Sequence, residues 1–492
     1  MPDVTPIFIH EAALHLPNHG IASIGGNVDE HHNVYLVDLI RKRRTIKKYL
    51  TGILRKIRPG LVGLSAMTWQ YDTCLIVARL VKSVLPETCI AIGGYHATLM
   101  YEEIAISKDA SCIDFIIRGE GEEAFRRLAN ALEDNDGFED IPSLSYRING
   151  AFVHNEQGQL QDLIKLKLPI RDRRRLTWGY HLMAVRIEVL ETSRGCTRSC
   201  PFCSIKHMYG GSFRVFPIKR VLADLDDIYY KRKTKFVFIT DDNMVLNPKR
   251  VIELCDAIIA RGYRNLNLAV QADCRSIAAN EEMVWKMGKA GFKAIFLGIE
   301  NGSEKNLKLL NKGNMIEETN RALDYCHRNG IIVIAGLIFG FPDDDNESIR
   351  QNYEYFLKLY SGVPPYLQII TPYPKTQMRH ELMKAGLIAN ISDYRWYNGL
   401  FANVRTHHLS AEELQYSFWY HRQTVLGWLK LPTPKVQTIS NWVVLWTYLI
   451  MPIMRFFYDR KLRKIGWQGL YERDMQRLRS MNDFPDLDQF KI

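Results

Sequence analysis

The chain reads as a two-part α/β protein: a doubly wound parallel sheet over residues 1–150, a linker at 151–186, a partial (β/α)6 barrel over 187–400 and a helical region at 401–492. Three observations predict this class. Short apolar runs alternate with helical stretches, the alternation occurs twice, and 492 residues exceed what one hydrophobic core organises.

In the first part the apolar runs are 6–10, 34–38, 61–65, 89–93 and 115–119, with helical patterns between them. Ligands on a sheet of this kind sit beyond the carboxyl ends of the strands. Those ends carry Ser65 and Thr68, then Gly93, Gly94, His96 and Thr98, then Gly119, Glu120, Gly121 and Glu122. Small residues let a large planar ligand approach the backbone, and hydroxyls meet its polar edge. Ordinary turns use glycines too, so these residues alone decide little. The linker is basic and mixed in pattern. In the second part the strands fall at 187–193, 236–240, 266–270, 294–299, 331–339 and 366–371, with helices at 218–230, 248–261, 281–290, 316–329 and 348–360. In such a barrel the residues just past each strand line the active face.

Composition is that of a globular protein, with 47% hydrophobic and 24% charged residues. The excess of 65 Lys+Arg over 54 Asp+Glu includes the runs Arg41–Arg44 and Arg171–Arg175. Neither is interleaved with aromatics, so both read as solvated faces and no nucleic-acid partner is expected. Of nine cysteines, Cys74, Cys89, Cys112, Cys255, Cys274 and Cys326 are scattered singly and read as buried small hydrophobes. Residues Met1–His10 lack the pattern of a signal peptide, which predicts a cytoplasmic protein.

The other cysteines form the run Thr192-Ser-Arg-Gly-Cys196-Thr-Arg-Ser-Cys200-Pro-Phe-Cys203. Thiolates at this spacing grip a cubane iron-sulfur cluster from one loop and leave one of its four irons without a protein ligand. The competing zinc reading needs a fourth ligand, for which His207 is the nearest candidate. Phe202 favours the cluster, because an aromatic there shields it and stacks on an adenine.

This run resembles the C-x3-C-x-aromatic-C signature of radical S-adenosylmethionine enzymes. The resemblance implies a [4Fe-4S] cluster on Cys196, Cys200 and Cys203 whose open iron is chelated by the amino and carboxylate groups of S-adenosylmethionine, which is cleaved to a 5'-deoxyadenosyl radical. It extends over roughly 187–375. Asp241, Asp242 and Asn243 stand where the family often has Gly-Gly-Glu near the methionyl amine; a plain helix cap before Pro248 is the bland alternative. Gln271, Asp273 and Arg275 suit ribose or substrate. Glu300 suits a ribose or an amine. The segment holding Gly340 and Pro342 resembles the one beside adenine in the family.

Upstream, the Gly93-Gly-Tyr-His-Ala-Thr98 loop and the Arg118-Gly-Glu-Gly-Glu122 turn resemble the flavodoxin- or Rossmann-like cobalamin-binding domain that precedes many such barrels. The Asp-x-His-x-x-Gly hexapeptide that ligates cobalt from below in some of those domains is missing from residues 1–150. Cobalamin held without a protein imidazole is therefore expected, with His96 and His19 as the histidines to check.

Together these parts resemble cobalamin-dependent radical methyltransferases, which implies methylation of an unactivated carbon and a reductase, ferredoxin or flavodoxin as electron donor. The alternatives are oxidation, cyclisation or coupling without methyl transfer and, from another class, a non-catalytic cobalamin sensor. Past Ala402 the chain turns helical and aromatic, with Tyr416, Phe418, Trp419, Tyr420 and Trp428. Residues 436–454 carry no charge and are flanked by Lys435, Arg455, Arg460, Lys461, Arg463 and Lys464, with Trp442, Trp446 and Trp467. This suggests a helix in a membrane interface, peripheral on the inner face, and a lipid-like or tetrapyrrole substrate; a buried core helix or dimer surface competes evenly.

Overall fold

The computed structural model describes residues 6–10, 16–39, 42, 45–174, 180–182, 185–313, 315–359, 363, 365–425, 441–480 and 487. Met1–Thr5, Arg41, Arg43, Arg44, Arg175, Trp428, Lys435 and 436–440 lie outside the described residues. The chain divides into two compact units, one drawn from Met1–Thr197, Ser204–Thr240 and Phe484–Ile492, the other from Arg198–Cys203 and Asp241–Asp483.

The first unit opens with β1 (Pro6–His10), α1 (His19–Asn27), β2 (Tyr35–Asp38), α2 (Ile46–Ile57), β3 (Leu61–Ser65), α3 (Tyr71–Val84), β4 (Cys89–Gly93), α4 (Tyr95–Leu99), α5 (Tyr101–Ile106), β5 (Phe115–Ile117) and α6 (Glu122–Asp134). The five strands are parallel in the order β2-β1-β3-β4-β5, the doubly wound order expected. Leu61, Val62, Ile90 and Ile92 in the central strands are fully buried, as continuous apolar runs covered on both faces must be. α6 starts on Glu122 and Glu123, which complement its dipole, and ends at Asn135 in the left-handed region.

The sheet does not stop at residue 150. β6 (Leu144–Ile148) and β7 (Ala151–His154) extend it as an antiparallel hairpin. The stretch after β7 is no free linker either: Lys167 N donates to Asn27 Oδ1 at 2.9 Å, Ile170 N to the Ala22 carbonyl at 2.9 Å, and Leu163 and Leu166 are buried. The basic run is corrected with it. Arg171 is buried against Asp224, and Arg174 bonds Glu188 at 2.7 Å, because a strap packed on a core must pair its charges internally.

The unit continues with β8 (His181–Leu182), β9 (Val185–Leu190), β10 (Ser193–Arg194), α7 (Ile205–Tyr209), β11 (Arg214–Val215), α8 (Ile218–Asp226) and β12 (Phe236–Ile239). β9 pairs in parallel with β12, and β10 pairs antiparallel with β11. In the second unit come α9 (Pro248–Arg261), β13 (Asn267–Asp273), α10 (Cys274–Ala278), α11 (Glu281–Ala290), β14 (Phe292–Glu300), α12 (Glu304–Leu309), α13 (Ile316–Arg328), β15 (Ile332–Phe339), α14 (Asn346–Leu359), β16 (Tyr366–Ile369), α15 (Gln377–Lys384), α16 (Ala411–Thr424) and α17 (Asn441–Ser480). β13, β14, β15 and β16 pair in parallel in sequence order, so strands and helices alternate as the barrel reading requires.

The carboxyl-terminal helices pack on this unit through aromatics. Phe418 on α16 meets Phe339 at the end of β15, with ring centroids 5.4 Å apart, and Trp419 meets Tyr471 of α17 at 5.3 Å. Trp467, expected as a membrane anchor, is half-buried and packs against Tyr420 of α16 at 5.1 Å. No helix among the described residues is long and apolar enough to cross a membrane.

Candidate functional site

The cysteine loop leaves β10 through Gly195, whose φ of +85° is left-handed. A Cβ there would lie 2.2 Å from the Ser212 carbonyl oxygen, so only glycine lets the chain turn. Cys196, Cys200 and Cys203 follow one another along this one loop, each half-buried, as is Phe202. His207, the zinc candidate, is exposed on α7.

Arg194, two residues ahead of Cys196, is the ionic centre of the first unit. Its guanidinium reaches Glu120 at 2.8 Å, Glu122 at 2.6 Å and Glu191 at 3.0 Å. Burial opposes the charge on Arg194, but the carboxylates of Glu122 and Glu191 outweigh it and hold the group protonated. Burial likewise pushes Glu191 up; Arg194 and then His19 overcome it and bring the carboxyl down to about 2. His19 Nε2 lies 3.3 Å from Glu191. Glu120 is committed as well: Arg214 holds it at 2.8 Å and Gln161 N donates to it at 2.7 Å. Its carboxylate thus ties the turn to Arg194, Arg214 and Gln161.

The other strand-end residues divide by what the fold demands of them. Gly94 (φ +94°) and Gly119 (φ +69°) are left-handed, whereas Gly93 is not, and a Cβ on Gly93 would meet only ordinary contacts, the nearest at 3.6 Å. Nothing among the described residues asks for glycine at 93. Thr98 Oγ1 donates to the Gly94 carbonyl at 2.8 Å and accepts from Gly119 N at 2.9 Å, tying the two turns. Gly121 is the amino-terminal cap position of α6. Thr68 is buried, while Ser65 is half-buried at the end of β3, next to Ala66 and the exposed Met67. His96 lies in α4 rather than in a loop, is 1% exposed, and packs its ring 4.3 Å from that of Tyr71. Burial pulls its pKa down to about 3. These features fit a large planar cofactor laid on backbone without an imidazole ligand.

In the second unit, Asn243 and Asp273 bond reciprocally: Asn243 Nδ2 donates to Asp273 Oδ2 at 3.0 Å and Asp273 N donates to Asn243 Oδ1 at 3.2 Å. Asp273 Oδ1 accepts from Ser276 N and from Arg198 of the cysteine run, both at 3.0 Å. Burial pushes the Asp273 carboxyl up, yet the bonds from Ser276 and Asn243 hold it below the usual range. Asp241 is buried and Asp242 half-buried. The helix-cap alternative for this segment falls, because Asn247 caps α9 by accepting from Arg250 N at 3.1 Å. Gln271 to Asp273 lie inside β13 rather than after it, and Arg275 turns its guanidinium to the Lys312 carbonyl.

Glu300 ends β14 at φ +69° and is bonded at 2.6 Å to Lys312, a residue that no motif marked. Burial opposes the Lys312 charge, but Glu300 and next Cys200 keep its ammonium above the ordinary value. Its neighbour Asn311 donates to the Ser199 carbonyl at 3.2 Å. Asp344 Oδ2 accepts from Gly340 N at 2.9 Å and from Phe341 N at 3.0 Å, and the Pro342 carbonyl accepts from His407 N at 2.7 Å, so this turn is fixed locally.

The radical SAM superfamily model matches residues 190–356, and the B12 binding domain model matches residues 6–129. An uncharacterised methyltransferase of Pyrococcus horikoshii is 28% identical over 83% of this chain and 89% of its own length. An anaerobic magnesium-protoporphyrin IX monomethyl ester cyclase of Rubrivivax gelatinosus is 26% identical over 70% of this chain and 61% of its own. A hopanoid C-3 methylase of Methylococcus capsulatus is 28% identical over 62% and 57%. Among solved structures, a radical S-adenosylmethionine methyltransferase from Kitasatospora setae, with tryptophan and a SAM analogue bound, shares the fold at a TM-score of 0.67 and 17% identity, covering 88% of this chain and 92% of that one. The chain belongs to the radical S-adenosylmethionine enzymes that carry a B12-binding domain. It is thus an enzyme whose cofactors are a [4Fe-4S] cluster, S-adenosylmethionine and cobalamin, and the sensor reading is set aside.

Proposed function

We propose that this enzyme methylates an unactivated carbon of a hydrophobic substrate, lipid-like or tetrapyrrole, with Cys196, Cys200 and Cys203 holding the cluster. One observation carries the reading: Arg194 joins the turn Glu120–Glu122 at the first sheet's ligand edge to the strand that opens the cysteine loop. Loops for two cofactors are then parts of one network. When bound, the cluster with S-adenosylmethionine supplies a carbon-centred radical and cobalamin supplies the methyl group.

The chain's own residues hold and orient. The ends of β3, β4 and β5, at Ser65, Gly93 and Gly119, present backbone to cobalamin. Asp273, fixed as an anion by Ser276 and Asn243, is suited to ribose hydroxyls or the methionyl amine, and Asp241 and Asp242 directly precede its partner Asn243 in sequence. Lys312, kept charged by Glu300, offers an ammonium suited to a bound carboxylate. Electrons come from a ferredoxin, flavodoxin or reductase. Phe456 and Phe457, 57% and 60% exposed, precede exposed Arg460, Lys461, Arg463 and Lys464 on α17, which supports a peripheral contact with anionic membrane.

The substrate class rests on the hopanoid methylase and the porphyrin ester cyclase as relatives. The cyclase also favours a second reading, ring closure without methyl transfer. Product analysis with anaerobically reconstituted protein separates the two. Methyl transfer requires S-adenosylhomocysteine and a product heavier by one methylene; 5'-deoxyadenosine without either sinks it.

A further inference from the structure

On the first unit, the turn between α1 and β2 brings His31 and His32 to Glu133 in the last turn of α6. His31 Nε2 lies 3.0 Å from Glu133 Oε2, and His32 Nδ1 lies 3.6 Å from the same oxygen. All three ligand atoms are within 4.8 Å of one another. Two ligands on a tetrahedral zinc ion, with bonds of about 2.0–2.1 Å, stand about 3.3 Å apart. The observed spacings bracket that value.

The histidines are consecutive in sequence, so an extended chain would point their rings apart. The turn closed by His32 N donating to the Asp29 carbonyl at 3.1 Å draws the ring centroids to 4.0 Å instead. One face of α6 holds the turn in place. Arg126 and Asn130, four residues apart, both reach Asp29 Oδ2, at 3.0 Å and 2.7 Å. The Asn130 hydrogen bond, ahead of Arg126, outweighs partial burial and keeps Asp29 ionised. A carboxylate only accepts, so Asn130 gives it the amide N–H and turns Oδ1 to His32 Nε2, 2.9 Å away. Nε2 of neutral His32 therefore carries the hydrogen, and the lone pair is on Nδ1, the atom that faces Glu133. This is the outer-shell arrangement that fixes the tautomer of a metal-binding histidine.

We propose that His31, His32 and Glu133 form a zinc site, with Asn130 and Asp29 as its outer shell and water completing the tetrahedron. Two imidazoles and one carboxylate suit zinc among the divalent ions of the cell. His32 is buried, while His31 is 54% exposed, so ions enter from solvent on that side. The turn precedes β2 and thus lies at the amino ends of the parallel strands, opposite the edge where such sheets hold cofactors. The ion would clamp the α1–β2 turn to the end of α6 and would take no part in the radical chemistry.

The test uses full-length enzyme with its cluster in place, so that Cys196, Cys200 and Cys203 are occupied. Cobalt(II) is titrated anaerobically and its ligand-field absorption followed, then zinc is added as competitor. One tetrahedral cobalt per chain, displaced by zinc, is expected. His31→Ala and Glu133→Gln should each weaken binding more than tenfold, and Asn130→Ala by about 10- to 100-fold. His207→Ala should change nothing. No tetrahedral cobalt signal, or a signal equal in His31→Ala, Glu133→Gln and the parent, would overturn the proposal and leave a plain histidine–glutamate ion pair.

Discussion

At the carboxyl ends of β3, β4 and β5 the protein offers mainly backbone, while at the ends of β13 and β14 it offers charged side chains already held by partners. Among the described residues nothing crowds a Cβ at Gly93, whereas Asp273 bonds Asn243, Ser276 and Arg198, and Glu300 is paired with Lys312. A broad, flat cofactor is gripped by area, so its cradle is made of small residues and tolerates imprecise polar contacts. A small zwitterion is recognised by charge and direction, so its side chains must be set beforehand.

The sharpest way to break this comparison is at the cluster. Cys200→Ala should abolish 5'-deoxyadenosine formation and lower iron and sulfide, while cobalamin binding measured by visible absorption stays near the parent value. Loss of both cofactors together would show that the two faces are not separable. Next in size is Arg194→Met, which leaves buried Glu122 without a cation while Glu120 keeps Arg214 and Glu191 keeps His19. Breaking a buried pair in this way costs about 3–5 kcal/mol, read as a lower melting temperature. Gly94→Ala and Gly93→Ala should then split. The first is destabilising by about 1–2 kcal/mol, because φ is +94° and the new Cβ would be 2.8 Å from the Ala66 carbonyl oxygen. The second should change stability by less than about 0.5 kcal/mol yet reduce cobalamin occupancy. Equal occupancy in Gly93→Ala and the parent would remove the backbone-cradle argument.

A pH series refines the picture of the first unit. His96 has a folded pKa lowered to about 3 by burial, against about 6.5 when unfolded. Its neutral form favours the folded state fully above pH 6.5. That contribution declines as pH falls toward 3, by up to about 1.4 kcal/mol per pH unit. Denaturant midpoints between pH 7 and 5 should fall less steeply in His96→Gln than in the parent.

The elements with strong periodicity are readable from sequence: the five parallel strands of the first sheet, though not its antiparallel hairpin β6–β7, and helices 248–261 and 281–290 lie where the apolar pattern places them. The cysteine loop is readable because its spacing is chemistry in itself. Residues whose role depends on a distant partner are not. Lys312 matters through Glu300 and Cys200, and Arg194 through Glu120 and Glu122, far away in sequence. Arg171 misleads for the same reason, since a basic run looks solvated until Asp224 closes on it. Helices 274–278 and 304–309 are too short to display a period, and the sequence does not reveal that Trp467 packs on the aromatic helix α16.

The stretch from Arg198 to Cys203 is tethered at three points: Arg198 to Asp273, the Ser199 carbonyl to Asn311, and the Pro201 carbonyl to the Met378 amide at 3.0 Å. None of these tethers involves iron. Oxygen that strips the inorganic core would therefore leave the receptacle standing, and the enzyme could be recharged by the cell's assembly machinery without refolding. Stripped and recharged protein should melt within a few degrees of each other, and activity should return on adding iron, sulfide and a thiol reductant without air.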